Sequence, residues 1–231
     1  MRPSISVIIP AYNEEQSIGK VLGDIPRHLV DQVVVVNNGS TDLTAERARE
    51  ADAEVVDEPR RGYGQACLSG IAALRPCDIV VFLDGDYSDY PEEMPNIVQP
   101  ILQGGADLVI GSRVLGRREK GALLPQARFG NALATGLIRL FYRADYTDLG
   151  PFRAVSYQAL QRLQMEDRNF GWTVEMQVKG ARLGLRHTEV PVSYRRRIGT
   201  SKVTGTLWGT LAAGYKILVT IFRYALKRPR F

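Results

Sequence analysis

Asp78-Ile-Val-Val-Phe-Leu83-Asp84-Gly-Asp86-Tyr-Ser-Asp89-Tyr-Pro91-Glu92-Glu93 is the stretch that decides how the rest of the chain is read. Its apolar run has the length and composition of a strand buried on both faces. The run stops on two carboxylates one residue apart. Pro91, Glu92 and Glu93 then open a helix, with proline in the first turn and acidic side chains at the positive end of the dipole. A strand that ends on two fixed carboxylates is a seat for a hard divalent cation. Mg²⁺ and Mn²⁺ take oxygen ligands and need only one or two carboxylates where substrate phosphates supply the rest. Acidic pairs at strand ends also serve as plain helix caps, so the weight of this reading comes from what surrounds it.

Upstream, strands and helices alternate. Ser4–Ile9 is a short apolar run closed by Pro10, and Glu14–His28 carries helical spacing through Ile18, Val21, Leu22 and Ile25. Gln32–Val36 is a second strand, followed by Asn37-Asn-Gly-Ser-Thr-Asp42 and a helix through Ala51. Glu54–Val56 is a third strand, Gly62-Tyr-Gly64 punctuates, and Gln65–Leu74 is helical. Such alternation predicts an α/β fold, a mostly parallel sheet with helices on both faces. Ligands of such sheets bind at the carboxyl ends of the strands. The motifs after Ile9, Val36 and Leu83 all fall there.

Downstream, Asp107–Gly111 reads as a strand leading into Ser112-Arg113, and Val114–Pro125 as a mobile polar loop. Ala127–Arg143 is amphipathic, with Phe129, Leu133, Leu137 and Leu140 on one face and Asn131, Thr135 and Arg139 on another. Tyr146–Val155 reads as a strand, Phe170–Leu183 as a helix, and Leu185–Tyr194 as a strand. His28 and His187 are isolated and have no nameable partner.

The 231 residues, 45% hydrophobic and 24% charged, suit one domain with an appendage. The net charge of +5 is modest, and basic residues concentrate in the C-terminal quarter. Anionic substrates or an anionic membrane surface fit that distribution. Nucleic acid does not, because no basic stripe is interleaved with stacking aromatics. Cys67 and Cys77 lack metal-ligand spacing and suit a reducing, cytoplasmic setting. Met1-Arg-Pro leads into a strand without a signal-peptide pattern. Leu207–Leu226 has few charges, yet its periodicity puts Leu207, Leu211, Leu218, Phe222 and Ala225 on one face and Thr210, Lys216, Thr220, Arg223 and Lys227 on the other. With Lys227-Arg228-Pro-Arg230 behind it, this predicts an amphipathic helix lying in a membrane interface. The plainer alternative is a helix packed on its own domain or on a second subunit, as in a homo-oligomer.

The chain resembles the family 2 glycosyltransferases with a GT-A fold, most closely their polyprenol-phosphate branch of the dolichol-phosphate mannose synthase type. The resemblance rests on Ile8-Ile-Pro10-Ala-Tyr12-Asn13-Glu14-Glu15, Asn37-Asn-Gly-Ser-Thr-Asp42, Gly62-Tyr-Gly64, Leu83-Asp84-Gly-Asp86, Gly111-Ser-Arg113, Asp148-Leu-Gly150-Pro-Phe152-Arg153 and Gly199-Thr-Ser201-Lys202. It covers residues 1–205, a catalytic domain with a nucleotide-sugar half over 1–113 and an acceptor half over 114–205. Residues 206–231 remain as a membrane-interface helix and basic tail.

That resemblance implies transfer of a hexosyl group, with inversion, from a nucleotide sugar (GDP-mannose or a UDP-sugar) to a polyprenyl phosphate lipid. The reaction would need Mg²⁺ or Mn²⁺ and would run at the cytoplasmic face of a membrane. Pro10, Ala11, Tyr12, Glu14, Asn38, Asp42 and Gly64 would bind the nucleotide. Asp84 would serve the ribose side and the metal, and Asp86 the metal. Arg113 would neutralise the diphosphate, and Glu175 would line the acceptor site. Arg153, Arg197, Ser201 and Lys202 would hold the acceptor phosphate. Asn37 and Asn38 stand where acids are commoner, which removes a charge-assisted bond to a base. Asp42 can equally act as a helix cap, Arg113 can pair with a carboxylate of the sheet, and Glu175 can be a solvated helix charge. A saccharide or other hydroxyl acceptor stays open and would require Glu175 or Asp89 as a base. A nucleotidyltransferase is disfavoured, because Pro10-Ala-Tyr-Asn-Glu14 replaces a glycine-rich basic loop after the first strand.

Overall fold

The structure is a computed structural model that describes residues 2–199 and 207–226; Ser201 and Lys202 lie outside the described residues. In chain order the elements are β1 (Ile5–Ala11), α1 (Ile18–Asp24), β2 (Gln32–Asn37), α2 (Thr44–Glu50), β3 (Glu54–Asp57), α3 (Tyr63–Ala72) and β4 (Ile79–Phe82). A short 3₁₀ turn (Pro91–Glu93) then leads into α4 (Met94–Leu102), β5 (Leu108–Ser112), α5 (Pro125–Tyr142) and β6 (Arg153–Ser156). The chain continues through α6 (Tyr157–Leu163), α7 (Trp172–Arg182), β7 (His187–Pro191) and α8 (Leu207–Leu226).

The strands form one sheet in the order β3-β2-β1-β4-β6-β5-β7. Every pairing is parallel except the two made by β6, which runs antiparallel between β4 and β5. Alternate strand residues feed two cores. Ile8, Val34, Val80 and Phe82 pack with α3, α5, α6, α7 and α8. Ile9, Val35, Val81 and Val109 pack with α1 and α4 on the other face. Both faces being covered is why these strands read as unbroken apolar runs.

The mostly parallel α/β fold is as the sequence implies, and three elements differ in detail. Tyr146–Val155 is a strand only from Arg153; the residues before it are buried but irregular, pinned by side chains from two sides. Glu189 accepts from the Thr147 and Asp148 amides at 2.9–3.1 Å, and Asn131 bonds to the Thr147 carbonyl and the Leu149 amide at 2.8 Å. Helix α6 breaks the expected path from β6 and starts on Ser156, whose hydroxyl caps the Ala159 amide. Segment 114–125 is tied to the chain after β7 by hydrogen bonds from Glu119 to Tyr194, Tyr194 to Arg117 and Arg196 to Lys120.

The two amphipathic helices turn inward faces that periodicity alone does not select. Asn131, Ala134, Thr135 and Ile138 of α5 are buried. Phe129 and Leu140 on its other side are 73% and 71% exposed. Helix α8 packs on α5 and α7 through Thr220, Ile221 and Tyr224, with Lys216 paired to Asp167 at 2.9 Å and Arg182 donating to the Tyr224 carbonyl at 2.6 Å. It is therefore joined to the domain rather than appended to it. Tyr215 and Leu226 are 71% and 85% exposed on its outer side. Phe141 and Phe222 meet edge to face at 5.4 Å, so the outward apolar surfaces of α5 and α8 are continuous. No helix among the described residues is long and apolar enough to cross a membrane.

Candidate active site

At the carboxyl ends of β1 and β4 lies a cavity of about 380 Å³. Pro10, Ala11, Tyr12 and Glu14 form one wall, and Asp84, Gly85 and Asp86 form its floor. Tyr63 at the start of α3, Asn169, Phe170 and Arg197 close the rest. Two left-handed residues shape the turns, Asn13 (φ 53°) after β1 and Tyr87 (φ 65°) after Asp86. Asparagine tolerates that region, whereas an aromatic there is unusual and marks a local constraint beside the carboxylates.

The carboxylates compete with one another for charge. Asp84 accepts from the Tyr63 hydroxyl at 3.0 Å. Burial, and then the charge of Asp86, push its carboxyl up to about 7. Asp86 Oδ1 accepts from the Ser88 amide and hydroxyl, and its Oδ2 faces Arg197 Nη1 at 3.1 Å. Asp89 is 1% exposed, and neither of its oxygens has a hydrogen-bond partner. Burial first, and then Asp84 and Asp86, hold its carboxyl well above the usual range. A buried carboxyl without a partner beside two others is a high-energy arrangement, and a divalent cation would relieve it. The all-oxygen donor set suits Mg²⁺ or Mn²⁺. No three His, Cys, Asp or Glu side chains among the described residues form a metal-holding group, so further ligands would come from phosphate or water. The residues fit the ion on those terms, with Asp86 and Asp84 as its holders.

Several expected contacts are spent elsewhere. Asn38 borders the cavity, but its amide donates to the Glu58 and Arg60 carbonyls and its oxygen accepts the Gly62 amide at 2.8 Å. It holds the loop together, with both amide hydrogens used within it. Asp42 caps Thr44 and accepts the Glu15 amide, so it fastens two loops and does not line the cavity. Gly64 is required by packing: a Cβ there would lie 2.0 Å from the Asp167 carbonyl oxygen. Gly62 has φ 147°, and its Cβ would meet the Arg168 carbonyl at 2.2 Å.

Three charged residues are corrected more sharply. Arg113 forms a two-pronged pair with buried Asp148 at 2.7 and 2.8 Å, so its fork is committed within the sheet. Arg153 is fully buried and donates to the carbonyls of Leu149, Gly150 and Thr173. It cannot meet an acceptor phosphate. Glu175 is 1% exposed. It receives Lys179 at 2.9 Å, the Tyr224 hydroxyl at 2.8 Å and the Asp167 amide at 2.8 Å, an internal network outside the cavity. Arg197 reaches the donor-side carboxylates, not the surroundings of Arg153. Missed from the sequence were Tyr63, Asn169, Phe170 and Arg61, whose guanidinium lies 3.2 Å from the Tyr12 ring centre. Gly62-Tyr-Gly64 was the signal for Tyr63; nothing local singled out the others.

Comparison with known proteins agrees with this geometry. A family model described as glycosyl transferase family 2 matches residues 6–171. The uncharacterized glycosyltransferase Rv0539 of Mycobacterium tuberculosis is 39% identical over 213 residues, which is 91% of this chain and 94% of that protein. The dolichyl-phosphate hexose transferase of Haloferax volcanii is 33% identical over 204 residues, 86% of each chain. Among solved structures, glucosyl-3-phosphoglycerate synthase of M. tuberculosis, in complex with Mn²⁺, UDP-glucose and phosphoglyceric acid, superposes with a TM-score of 0.80 at 27% identity. That match covers 98% of this chain and 81% of the synthase. The strand-end carboxylates, the mostly parallel sheet and these likenesses agree: the chain is a GT-A-type glycosyltransferase and belongs to glycosyl transferase family 2.

Proposed function

We propose that the enzyme moves a hexosyl group from a nucleotide sugar to a polyprenyl phosphate, with inversion at the anomeric carbon. The observation that carries the lipid acceptor is the continuous apolar surface of α5 and α8. It borders a second cavity of about 870 Å³, lined by Phe129, Leu123, Arg118 and Arg128 among others. Val114 and Thr147 also line it, so it adjoins the Arg113–Asp148 pair, whose guanidinium is near enough to Asp84 and Asp89 for its charge to act on both carboxyls. An apolar surface with exposed cations at a cavity next to the donor site suits an anionic headgroup on an apolar chain. The Haloferax relative, named for dolichyl phosphate, points the same way. On this reading α5 and α8 rest on an anionic membrane face, and Ser201 and Lys202 belong to the phosphate seat.

In the reaction an acceptor phosphate oxygen attacks the anomeric carbon as the bond to the diphosphate breaks. A phosphate monoester is largely ionised at neutral pH, its second pKa being about 6, so the nucleophile needs no general base. That agrees with the sequestered Glu175. When bound at Asp84 and Asp86, a divalent ion would supply positive charge to the leaving diphosphate. Tyr12 and Glu14 wall the nucleotide side, and Tyr63 fixes the Asp84 carboxylate. Phe170 and Asn169 help to exclude water from the donor.

A second reading is a small soluble phosphorylated acceptor, favoured by the likeness to glucosyl-3-phosphoglycerate synthase. Release of nucleoside diphosphate from a panel of nucleotide sugars with Mn²⁺ separates the two. We expect release with polyprenyl phosphate in detergent and only background with phosphoglyceric acid. The opposite result would reassign the acceptor.

A further inference from the structure

We infer that Arg197 is an exchangeable internal cation that couples divalent-metal binding to nucleotide binding. The inference rests on the metal and nucleotide site proposed above and deepens it. Arg197 bridges two walls of the donor cavity: Nη1 lies 3.1 Å from Asp86 Oδ2, and Nη2 lies 3.1 Å from Glu14 Oε1. The other oxygen of Asp86 is taken by the Ser88 amide and hydroxyl. The oxygen that Asp86 can offer a metal is therefore the one that Arg197 holds. A dication at Oδ2 and the guanidinium cannot share that position without strong repulsion.

The backbone beneath this side chain is fastened. The Ile198 amide donates to the Asp86 carbonyl at 3.0 Å, and the Arg195 amide to the Ser88 carbonyl at 2.9 Å. The Arg195 guanidinium sits over the Tyr87 and Tyr90 rings and donates to the Tyr87 carbonyl at 2.7 Å. The Arg197 side chain stands on this fastened backbone, and its Nε is buried without a partner. Its donor set is thus incompletely used in the contact it makes. A diphosphate presents several anionic oxygens in the spacing that a planar fork accepts.

The consequence is a conditional affinity. A metal arriving alone must push Arg197 off Asp86 and leaves it without an equivalent partner. A metal arriving with a nucleoside diphosphate provides that partner in the same event. Glu14, released by Arg197, stays at the nucleotide wall. Coupling between two ligands of one site is typically about 5–150-fold in affinity, and reciprocity requires the metal to tighten the nucleotide by the same factor.

The test is Mn²⁺ binding to the full chain, followed by electron paramagnetic resonance of free Mn²⁺ with and without GDP or UDP, corrected for the metal–nucleotide complex in solution. For the wild type we expect weak binding of Mn²⁺ alone and at least about tenfold tighter binding with nucleotide. Arg197→Gln should bind Mn²⁺ alone about tenfold more tightly and lose most of the nucleotide enhancement. Arg197→Lys, which keeps the charge and loses the fork, should bind Mn²⁺ alone as weakly as the wild type and also lose the enhancement. Unchanged or weaker binding of Mn²⁺ alone by folded Arg197→Gln overturns the inference, as does a lysine variant that behaves like the glutamine one. If the wild type binds no Mn²⁺ even with nucleotide, the metal site itself fails.

Discussion

At the scale of single residues, Asp84 ties the site to pH. Burial and the neighbouring Asp86 hold its proton up to about pH 7. Below that value a proton occupies the carboxylate that a metal needs. Mn²⁺ affinity should therefore fall by roughly tenfold for each pH unit below about 7. Titrations at several pH values check this, and a flat profile from about pH 5.5 to 7.5 would contradict it. The sign for folding is the reverse of that for a salt-bridged carboxylate. A raised pKa favours the fold while the group is protonated, and that contribution is lost as pH rises from the ordinary carboxylate range to about 7. Asp86→Asn should lower transfer at least about a hundredfold, the scale of losing one electrostatic stabiliser, as read in initial rates. Asp84, Asp86, Tyr12 and Glu14 stand where strands end, which is why the sequence already groups them and the fold gathers them around one cavity. The sequence did not show which partners hold Arg113, Arg153, Glu175 and Asn38, because most of them are remote or backbone groups: Asp148, a set of carbonyls, the Tyr224 hydroxyl with the Asp167 amide, and the loop after β3. A charge aimed at a ligand and a charge aimed at a hidden partner look the same in one dimension.

At the scale of elements, the Arg113–Asp148 pair joins the end of β5 to the irregular segment before β6, with Asp148 fully buried. Asp148→Ala leaves a buried guanidinium unpaired. Removing one partner of such a pair costs about 3–5 kcal/mol, measurable by urea denaturation against the wild type; a loss below about 1 kcal/mol would show that the pair is solvated. β1 to β4 were legible from apolar runs closed by turn residues. β6 and α6 were not, because Gly150 and Pro151 interrupt a stretch whose burial comes from side chains of Asn131 and Glu189 rather than from a ladder. The inward faces of α5 and α8 were hidden for a related reason. Asn131 and Thr220 can be buried because their hydrogen bonds are met, by the Thr147 and Leu149 backbone for Asn131 and by the Lys216 carbonyl one turn back for Thr220, which periodicity cannot register.

At the scale of the molecule, α8 does two jobs at once, covering α5 and α7 inwardly and presenting apolar side chains outwardly. Deleting residues 206–231 should therefore destabilise the fold by several kcal/mol through loss of buried Ile221 and Tyr224, each large apolar side chain being worth about 1.5–3 kcal/mol. A truncated protein as stable as the full chain would show that the helix is only appended. Phe129→Asp sits on the exposed side and should alter stability by no more than about 0.5 kcal/mol, while Phe222→Asp also loses the edge contact to Phe141 and should cost about 0.5–1.5 kcal/mol more. They should abolish flotation with anionic vesicles; flotation that survives them would move the membrane contact elsewhere. The most direct measurement is transfer of labelled sugar from a nucleotide sugar into vesicles carrying polyprenyl phosphate. The label should float with the vesicles, require Mn²⁺ or Mg²⁺ and disappear with Asp86→Asn; label that stays in solution, or reaches the vesicles independently of the metal and of Asp86, would contradict a metal-dependent transfer to the lipid.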